Sequence, residues 1–163
     1  MKRLTKLLMA GAALAVSVGT ASAEFPERSI TMVAQELSLL PGRSVVDNVF
    51  LGIEAGKGGL LAPGTDIERF ESLVKTHGFK IDPQANVGEL SVAEQQKVEI
   101  LRALARDSKV IVMDEPTARL SSDEAKALTT GVRGLAARGV TIIFVSHFLD
   151  EVLDVADDVT IMR

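Results

Sequence analysis

The chain contains no cysteine, no tryptophan and no tyrosine among its 163 residues. Without cysteine it can form neither a disulfide framework nor a thiolate metal site. Phenylalanine is therefore the only large aromatic residue, and at 4% of the chain it is too scarce to favour a surface that stacks nucleic-acid bases. The formal net charge is −4 and no basic stripe is visible, so the sequence predicts no nucleic-acid partner.

The first 23 residues differ in character from the rest. Three basic residues precede an apolar run over residues 7–18 and a small-residue site at Ala21-Ser22-Ala23. This is the three-part layout of a secretory signal peptide. The run is shorter than the roughly 20 apolar residues that cross a bilayer. The sequence therefore predicts a leader over residues 1–23, with a buried N-terminal helix as the alternative.

Strand-like and helix-like segments alternate along the remainder. Residues 110–113 and 140–145 are continuous apolar runs of strand length, typical of strands buried on both faces of a sheet. Apolar residues recur at helical spacing over residues 122–137 and in a segment that begins near Asp66. This alternation predicts an α/β domain with a mostly parallel sheet.

Four polar side chains follow the two apolar runs directly. Asp114 and Glu115 follow the first, and Ser146 and His147 follow the second. Ligands of open parallel sheets bind beyond the carboxyl ends of the strands, so these side chains are candidates for one crevice. A carboxylate there suits Mg²⁺, and a neighbouring glutamate can polarise an attacking water. The alternative is a solvated turn with His147 as an ordinary loop residue.

A second candidate site is the start of a helix at Ser91. Ser91 and Glu94 have the spacing of a capping box. The N-terminus of a helix presents free N–H groups and the positive end of a dipole, and it therefore attracts phosphate. The alternative is that Ser91 only caps its own helix.

These segments together resemble the ATP-binding subunits of ABC transporters, in the version found in sugar importers of the ribose and xylose type. The resemblance rests on Leu-Ser-Val-Ala-Glu-Gln-Gln at residues 90–96 as the signature, on Asp-Glu-Pro-Thr-Ala at 114–118 as the Walker B end, and on Ser-His at 146–147. It implies a P-loop NTPase fold, the ABC nucleotide-binding domain, with a mostly parallel sheet and a helical subdomain.

The resemblance implies a role for each strand-end residue. Asp114 is expected to hold Mg²⁺ as the Walker B aspartate, and Glu115 to be the catalytic glutamate. His147 matches the switch histidine that contacts the γ-phosphate of ATP. Gln35 matches the Q-loop glutamine, which touches Mg²⁺ and relays the nucleotide state to a membrane subunit.

The signature residues are expected to act across a dimer. By resemblance, Ser91 is a direct ligand of the γ-phosphate that a second nucleotide-binding domain holds, with Ala93 and Glu94 beside it. Ala93 stands where the general pattern has glycine and gives up the closest backbone approach, and Glu94 adds a carboxylate near the phosphate. The resemblance thus implies ATP and Mg²⁺ as cofactors, and a membrane subunit and a second nucleotide-binding domain as partners.

One expected motif is missing from the sequence. A P-loop ends in Gly-Lys-Ser or Gly-Lys-Thr, and neither occurs in this chain. The run Gly56-Lys57-Gly58-Gly59 lacks the hydroxyl residue and is rejected. We therefore expect an incomplete ATP-binding subunit that lacks the Walker A portion and is not active alone.

The predicted organisation is a leader over residues 1–23, a junction over 24–32 and a partial nucleotide-binding domain over 33–163. The junction resembles the start of a mature periplasmic solute-binding protein of the tripartite tricarboxylate receptor type. The family implies the cytoplasmic face of the inner membrane, whereas the leader predicts export to the periplasm. An exported solute-binding protein remnant and a non-functional fusion fragment are the alternatives.

Overall fold

The computed structural model describes residues 5–9, 30–57 and 60–162. Strands and helices alternate along these ranges. In chain order the elements are β1 (Thr5–Met9), β2 (Ile30–Val33), α1 (Val45–Phe50), β3 (Gly56–Lys57), β4 (Leu60–Leu61), α2 (Pro63–His77), α3 (Val92–Ala105), β5 (Val110–Asp114), α4 (Ser122–Ala137), β6 (Thr141–Val145), α5 (Leu149–Val155) and β7 (Asp158–Met162).

Five strands form one sheet in the order β2, β5, β6, β1, β7. Every neighbouring pair in this sheet is parallel. Strands β3 and β4 form a separate antiparallel hairpin. The predicted α/β class with a mostly parallel sheet is therefore confirmed.

Helix α3 packs into two apolar clusters. In the first cluster Ile100 and Leu104 of α3 pack with buried residues of β5, β6 and α4. In the second, Val98 and Leu101 of α3 pack with α1 and with Phe70 of α2. Because α3 packs against the sheet on one side and against α1 and α2 on the other, its N-terminus has a fixed position relative to the strand ends.

Two local expectations need correction. Helix α2 begins at Pro63 and not near Asp66, because proline at the first helical position has a suitable φ and needs no N–H partner. Residues 57–63, whose glycines and proline predict a loop, instead contribute Lys57 to β3 and Leu60–Leu61 to β4 of the antiparallel hairpin. Gly56–Lys57 therefore lies in a hairpin and not in the strand–loop–helix arrangement of a P-loop, which agrees with the rejection of this run from its sequence.

Strand β5 is fully buried on one face only, whereas its apolar sequence predicts burial on both faces. Ile111 and Met113 are fully buried against α3 and α4, whereas Val110 and Val112 on the other face are half-buried by the described residues. The expectation of full burial on both faces is thus not met within these ranges.

Most of the predicted leader lies outside the described residues. Its segment Thr5–Met9 forms β1, which lies between β6 and β7 and is parallel to both. None of the helices in the described ranges is long and apolar enough to cross a membrane.

The fold predicts that Ile111→Ala lowers the free energy of unfolding by about 2–5 kcal/mol, because it leaves a cavity at a fully buried site between the sheet and α4. The matched control is Ile161→Ala in β7, where the side chain is 70% exposed and the expected loss is below about 0.5 kcal/mol. Chemical denaturation measures both values. Equal losses for the two variants would contradict this description of the core.

Candidate functional site

The parallel register brings the predicted strand-end residues to one edge of the sheet. Val33, the last residue of β2, pairs with Met113 of β5, and Asp114 pairs with Val145 of β6. Gln35 and Glu115 therefore each follow their strand by one or two residues at this edge, and His147 follows β6 by two. The sheet thus collects Gln35, Asp114, Glu115 and His147 at the carboxyl ends of its strands, where ligands bind.

Glu115 and His147 are in direct contact. The Nδ1 atom of His147 lies 2.9 Å from Oε1 of Glu115. Since a carboxylate only accepts hydrogen bonds, Nδ1 is the donor, and Nε2 is left free to face a ligand. Both side chains are accessible, at 51% exposed for His147 and 31% for Glu115, so the pair can be reached from solvent. The ring of His147 also packs against Phe148, with 4.1 Å between the ring centroids.

The backbone of Glu115 adopts a conformation that few residues other than glycine use. Its φ angle is +44°, in the left-handed region. Two backbone hydrogen bonds hold it there: its N–H donates to Val145 O at 2.8 Å, and its C=O accepts from Ala118 N at 3.2 Å. Strain of this kind costs on the order of 1–3 kcal/mol and is found preferentially at functional sites. It fixes where the Glu115 side chain leaves the sheet.

Two buried hydroxyl residues, Thr117 and Ser146, support the loops that follow β5 and β6. Thr117 is buried and its hydroxyl donates to the Glu151 carboxylate of α5. Ser146 is buried and its Oγ accepts from Phe148 N at 3.1 Å. Both hydroxyls hold the loops that carry Glu115 and His147. Ser146 was a strand-end candidate, but for Thr117 only its place in the Asp-Glu-Pro-Thr-Ala run could have pointed to a role.

Gln35 and Glu115 line one small cleft. Its remaining walls come from the loop after β2, the start of α3 and the turn after β5. The lining residues are Gln35, Leu37, Val92, Gln96, Glu115, Pro116 and Arg119. The structure thus places Gln35 beside Glu115 in this cleft, whereas Asp114 and His147 do not line it. It also adds Gln96, which carried a signal in the sequence only as part of the signature run, because its burial depends on how α3 packs.

The predicted capping box at the signature is present. Ser91 Oγ accepts from Glu94 N at 3.3 Å, and the Glu94 carboxylate accepts from Ser91 N at 3.0 Å and from Ser91 Oγ at 2.9 Å. The backbone N–H of Ser91, and then its hydroxyl, hold the pKa of Glu94 below its ordinary value. Neither Ser91, Ala93 nor Glu94 lines the cleft with Gln35.

The strand-end donors fit a hard divalent cation. The carboxylate of Asp114 and the amide oxygen of Gln35 are oxygen ligands of the kind that Mg²⁺ takes, one or two at a time, together with water and phosphate oxygens. No cluster of three or more histidine, aspartate or glutamate side chains in the described ranges forms a complete metal cage.

Comparison with known proteins gives consistent matches. The family model described as ABC transporter matches residues 6–118. The chain is 44% identical over 134 residues to the ribose import ATP-binding protein RbsA 3 of Rubrobacter xylanophilus, covering 82% of this chain and 27% of that protein. It is 42% identical over 142 residues to the galactofuranose transporter ATP-binding protein YtfR of Escherichia coli K12, covering 87% and 28%. The chain spans about a quarter of the length of these relatives.

Solved structures agree on the fold. The structure of cbiO1 from Clostridium perfringens, part of the ABC transporter complex cbiONQ, superposes with a TM-score of 0.71 at 26% identity and covers 83% of this chain and 54% of that one. A nucleotide-free ATP-binding cassette from an ABC transporter gives a TM-score of 0.65 at 26% identity, with 80% and 56% covered.

The capping boxes predict how stability depends on acid. Hydrogen bonds from Ser121 lower the pKa of Glu124 at the start of α4, as those from Ser91 do for Glu94. Because the folded pKa values lie below the unfolded ones, this stabilisation is fully present above the pKa of an unfolded glutamate and is lost as pH falls through the folded values. The double variant Glu94→Gln, Glu124→Gln should therefore lose less stability on acidification, with each single variant in between. Denaturation curves recorded between about pH 6 and about pH 3 measure this. Identical acid limbs for wild type and double variant would contradict it.

Proposed function

The chain belongs to the ABC transporter family, and we propose that it supplies part of the ATP-binding subunit of a sugar importer. The observation that carries the proposal is the joint placement of Gln35, Glu115 and His147 at one sheet edge, with the signature helix beginning beside them. The identity to ribose and galactofuranose import proteins supports a sugar as the transported substrate.

The strand-end residues are of the kinds that act on the γ-phosphate of ATP, but this sequence has no Gly-Lys-Ser or Gly-Lys-Thr to hold a nucleotide at this edge by itself. Bound Mg²⁺ would supply charge neutralisation at the phosphates, with Asp114 and Gln35 as its protein ligands. Glu115 would orient the attacking water, since its backbone is fixed at both the N–H and the C=O. His147 donates to Glu115 through Nδ1, so its Nε2 can donate to a phosphate oxygen only when the ring is protonated.

The signature would serve a nucleotide held by a second domain. Ser91 begins α3 and stands outside the cleft of Gln35 and Glu115, an arrangement that suits action on a different nucleotide. Glu94 occupies both the N–H and the hydroxyl of Ser91, so phosphate must displace this carboxylate or share its donors. The partners in this proposal are a complete nucleotide-binding domain and a membrane subunit, at the cytoplasmic face of the inner membrane.

The proposal places the chain in the cytoplasm and includes its N-terminal segment. The leader predicted over residues 1–23 conflicts with this proposal, because export would carry the chain away from cytoplasmic ATP. Two observations support retention of this segment: Thr5–Met9 forms a strand inside the sheet, and the family match begins at residue 6. We expect the intact mass of the chain made in bacterial cells to include residues 1–23. A periplasmic product that starts at Glu24 would favour the exported-remnant alternative.

Purified chain should not hydrolyse ATP in the presence of Mg²⁺, because its sequence has no Gly-Lys-Ser or Gly-Lys-Thr to hold the phosphates. A phosphate-release assay measures this, with Glu115→Gln as the control for contaminating enzymes. Hydrolysis that disappears in Glu115→Gln would contradict the expectation and assign a complete site to this chain.

The chain should associate with a complete sugar-importer nucleotide-binding domain only when Mg-ATP is present. Ser91→Arg should abolish this association, because the much larger side chain occupies the space through which phosphate approaches the start of α3. Ser44→Ala is the matched control, since it removes the equivalent cap of α1 and is expected to leave association unchanged. Analytical ultracentrifugation measures all three. Association that is independent of Mg-ATP, or that survives Ser91→Arg, would refute the proposed role.

A further inference from the structure

The five-stranded sheet has one covered face and one open face. Successive residues of a strand point to opposite faces, and the strand residues of the first apolar cluster all share one face. This covered face consists of Val33, Ile111, Met113, Ile142 and Phe144, which pack with α3, α4 and α5. The alternation and the strand register put the other apolar residues of β2, β5 and β6 on the open face, namely Ile30, Met32, Val110, Val112, Ile143 and Val145.

The open face is apolar, but the described residues bury little of it. Ile30 and Met32 are 56% and 59% exposed, and the open-face residues of β5 are half-buried. Within the described ranges, Val145 is the only open-face residue that is buried. An apolar face that extends over three strands normally packs against a second layer, because a solvated face of a sheet carries polar residues. The open face therefore needs an occupant.

The direction of the strand connections indicates which segment passes over this face. From β2 to β5, β6 and β7 the chain moves in one direction across the sheet, and the helices α3, α4 and α5 of these connections pack on the covered face. From β1 to β2 the chain moves in the opposite direction, past β6 and β5. Connections between parallel strands are right-handed in about 98% of cases. A connection of the same hand that runs in the opposite direction lies on the other side of the sheet, which is the open face.

The connection from β1 to β2 also has a suitable length and composition. It consists of residues 10–29, which lie outside the described residues and join Met9 to Ile30. A crossover between parallel strands needs about 10–12 residues, and this connection exceeds that minimum. From residue 10 to residue 23 it carries no charged side chain, and it includes Leu14, Val16 and Val18. Apolar side chains of this kind match the open face.

We propose that residues 10–29 dock on the open face and complete the core, so that the apolar run predicted as an export signal is instead a buried part of this domain. The occupant belongs to the same chain and not to a second copy, because both of its ends are held by the sheet, in β1 between β6 and β7 and in β2 beside β5. Cleavage after Ala23 would remove β1 together with most of this cover. The inference does not depend on nucleotide binding.

Thiol labelling of the full chain tests whether the open face is covered. The chain has no cysteine, so one introduced thiol is the only reactive one. Met32→Cys on the open face should react with a maleimide at least about tenfold more slowly than Ile161→Cys in β7. The parent side chains are similarly accessible among the described residues, at 59% and 70% exposed, so a difference in rate reports an additional cover over Met32.

Equal labelling rates of the two variants in a folded monomer would overturn the proposal. Protection of Met32→Cys that disappears on dilution, as a dimer dissociates, would assign the open face to a second copy and would overturn it as well. Analytical ultracentrifugation of the same samples distinguishes these results.

Disulfide trapping identifies the occupant. A second cysteine is introduced by Ala12→Cys, Leu14→Cys, Val16→Cys or Val18→Cys and is combined with Val112→Cys or, as the control, with Ile161→Cys. After oxidation at low protein concentration, at least one combination with Val112→Cys should form an intrachain disulfide, because this bond requires Cα atoms within about 7 Å of each other. The combinations with Ile161→Cys should form none.

The absence of every intrachain disulfide to the Val112→Cys position would overturn the proposal, and so would a purified chain that begins at Glu24. Four positions are used so that the failure of one variant to fold leaves the others to decide. Failure of the chain to associate with a complete nucleotide-binding domain would refute the proposed function and would not change these results.

Discussion

The candidate site depends on the register of three parallel strands. Hydrogen bonding aligns Val33 with Met113 and Asp114 with Val145, and this alignment alone brings the residues that follow each strand to one edge. A slip of one residue would turn each strand's side chains to the opposite face and separate the functional groups. The apolar core prevents such a slip, because Ile111 and Met113 pack under α3 and α4 only in this register.

The second constraint is the position of α3 between two apolar clusters. Its buried residues contact the sheet on one side and α1 and α2 on the other. Its first turn carries the signature, and its polar face holds the loop that follows Gln35. The single helix α3 therefore contacts the loop that follows Gln35 and also begins at the signature residue Ser91.

The sequence predicted the parts of this structure that arise from short-range patterns. The capping box of Ser91 and Glu94 and the span of α4 follow from local spacing, and the strand-end placement of Asp114 follows from an apolar run and a general property of parallel sheets. The hydrogen bonds that Ser38 makes with Glu99 and Arg102 could not be predicted in this way, because they join groups more than 60 residues apart. Burial of Gln96 was equally invisible, since only the packing of α3 decides which polar residues face inward. The N-terminal segment shows that a local pattern can also be ambiguous. Residues 7–9 of the apolar run lie in β1, because an apolar run that fits a leader also fits a strand.

The central proposal is that this chain supplies its signature at Ser91 to a nucleotide whose phosphates another domain holds, because its own sequence has no Gly-Lys-Ser or Gly-Lys-Thr beside the strand-end residues. The most direct measurement is the number of ATP molecules bound in a complex of this chain with one complete nucleotide-binding domain whose hydrolysis has been blocked. The account predicts one ATP per complex, bound between the partner's phosphate-binding loop and Ser91. Two ATP molecules per complex, or stoichiometric binding of ATP by this chain alone, would contradict it.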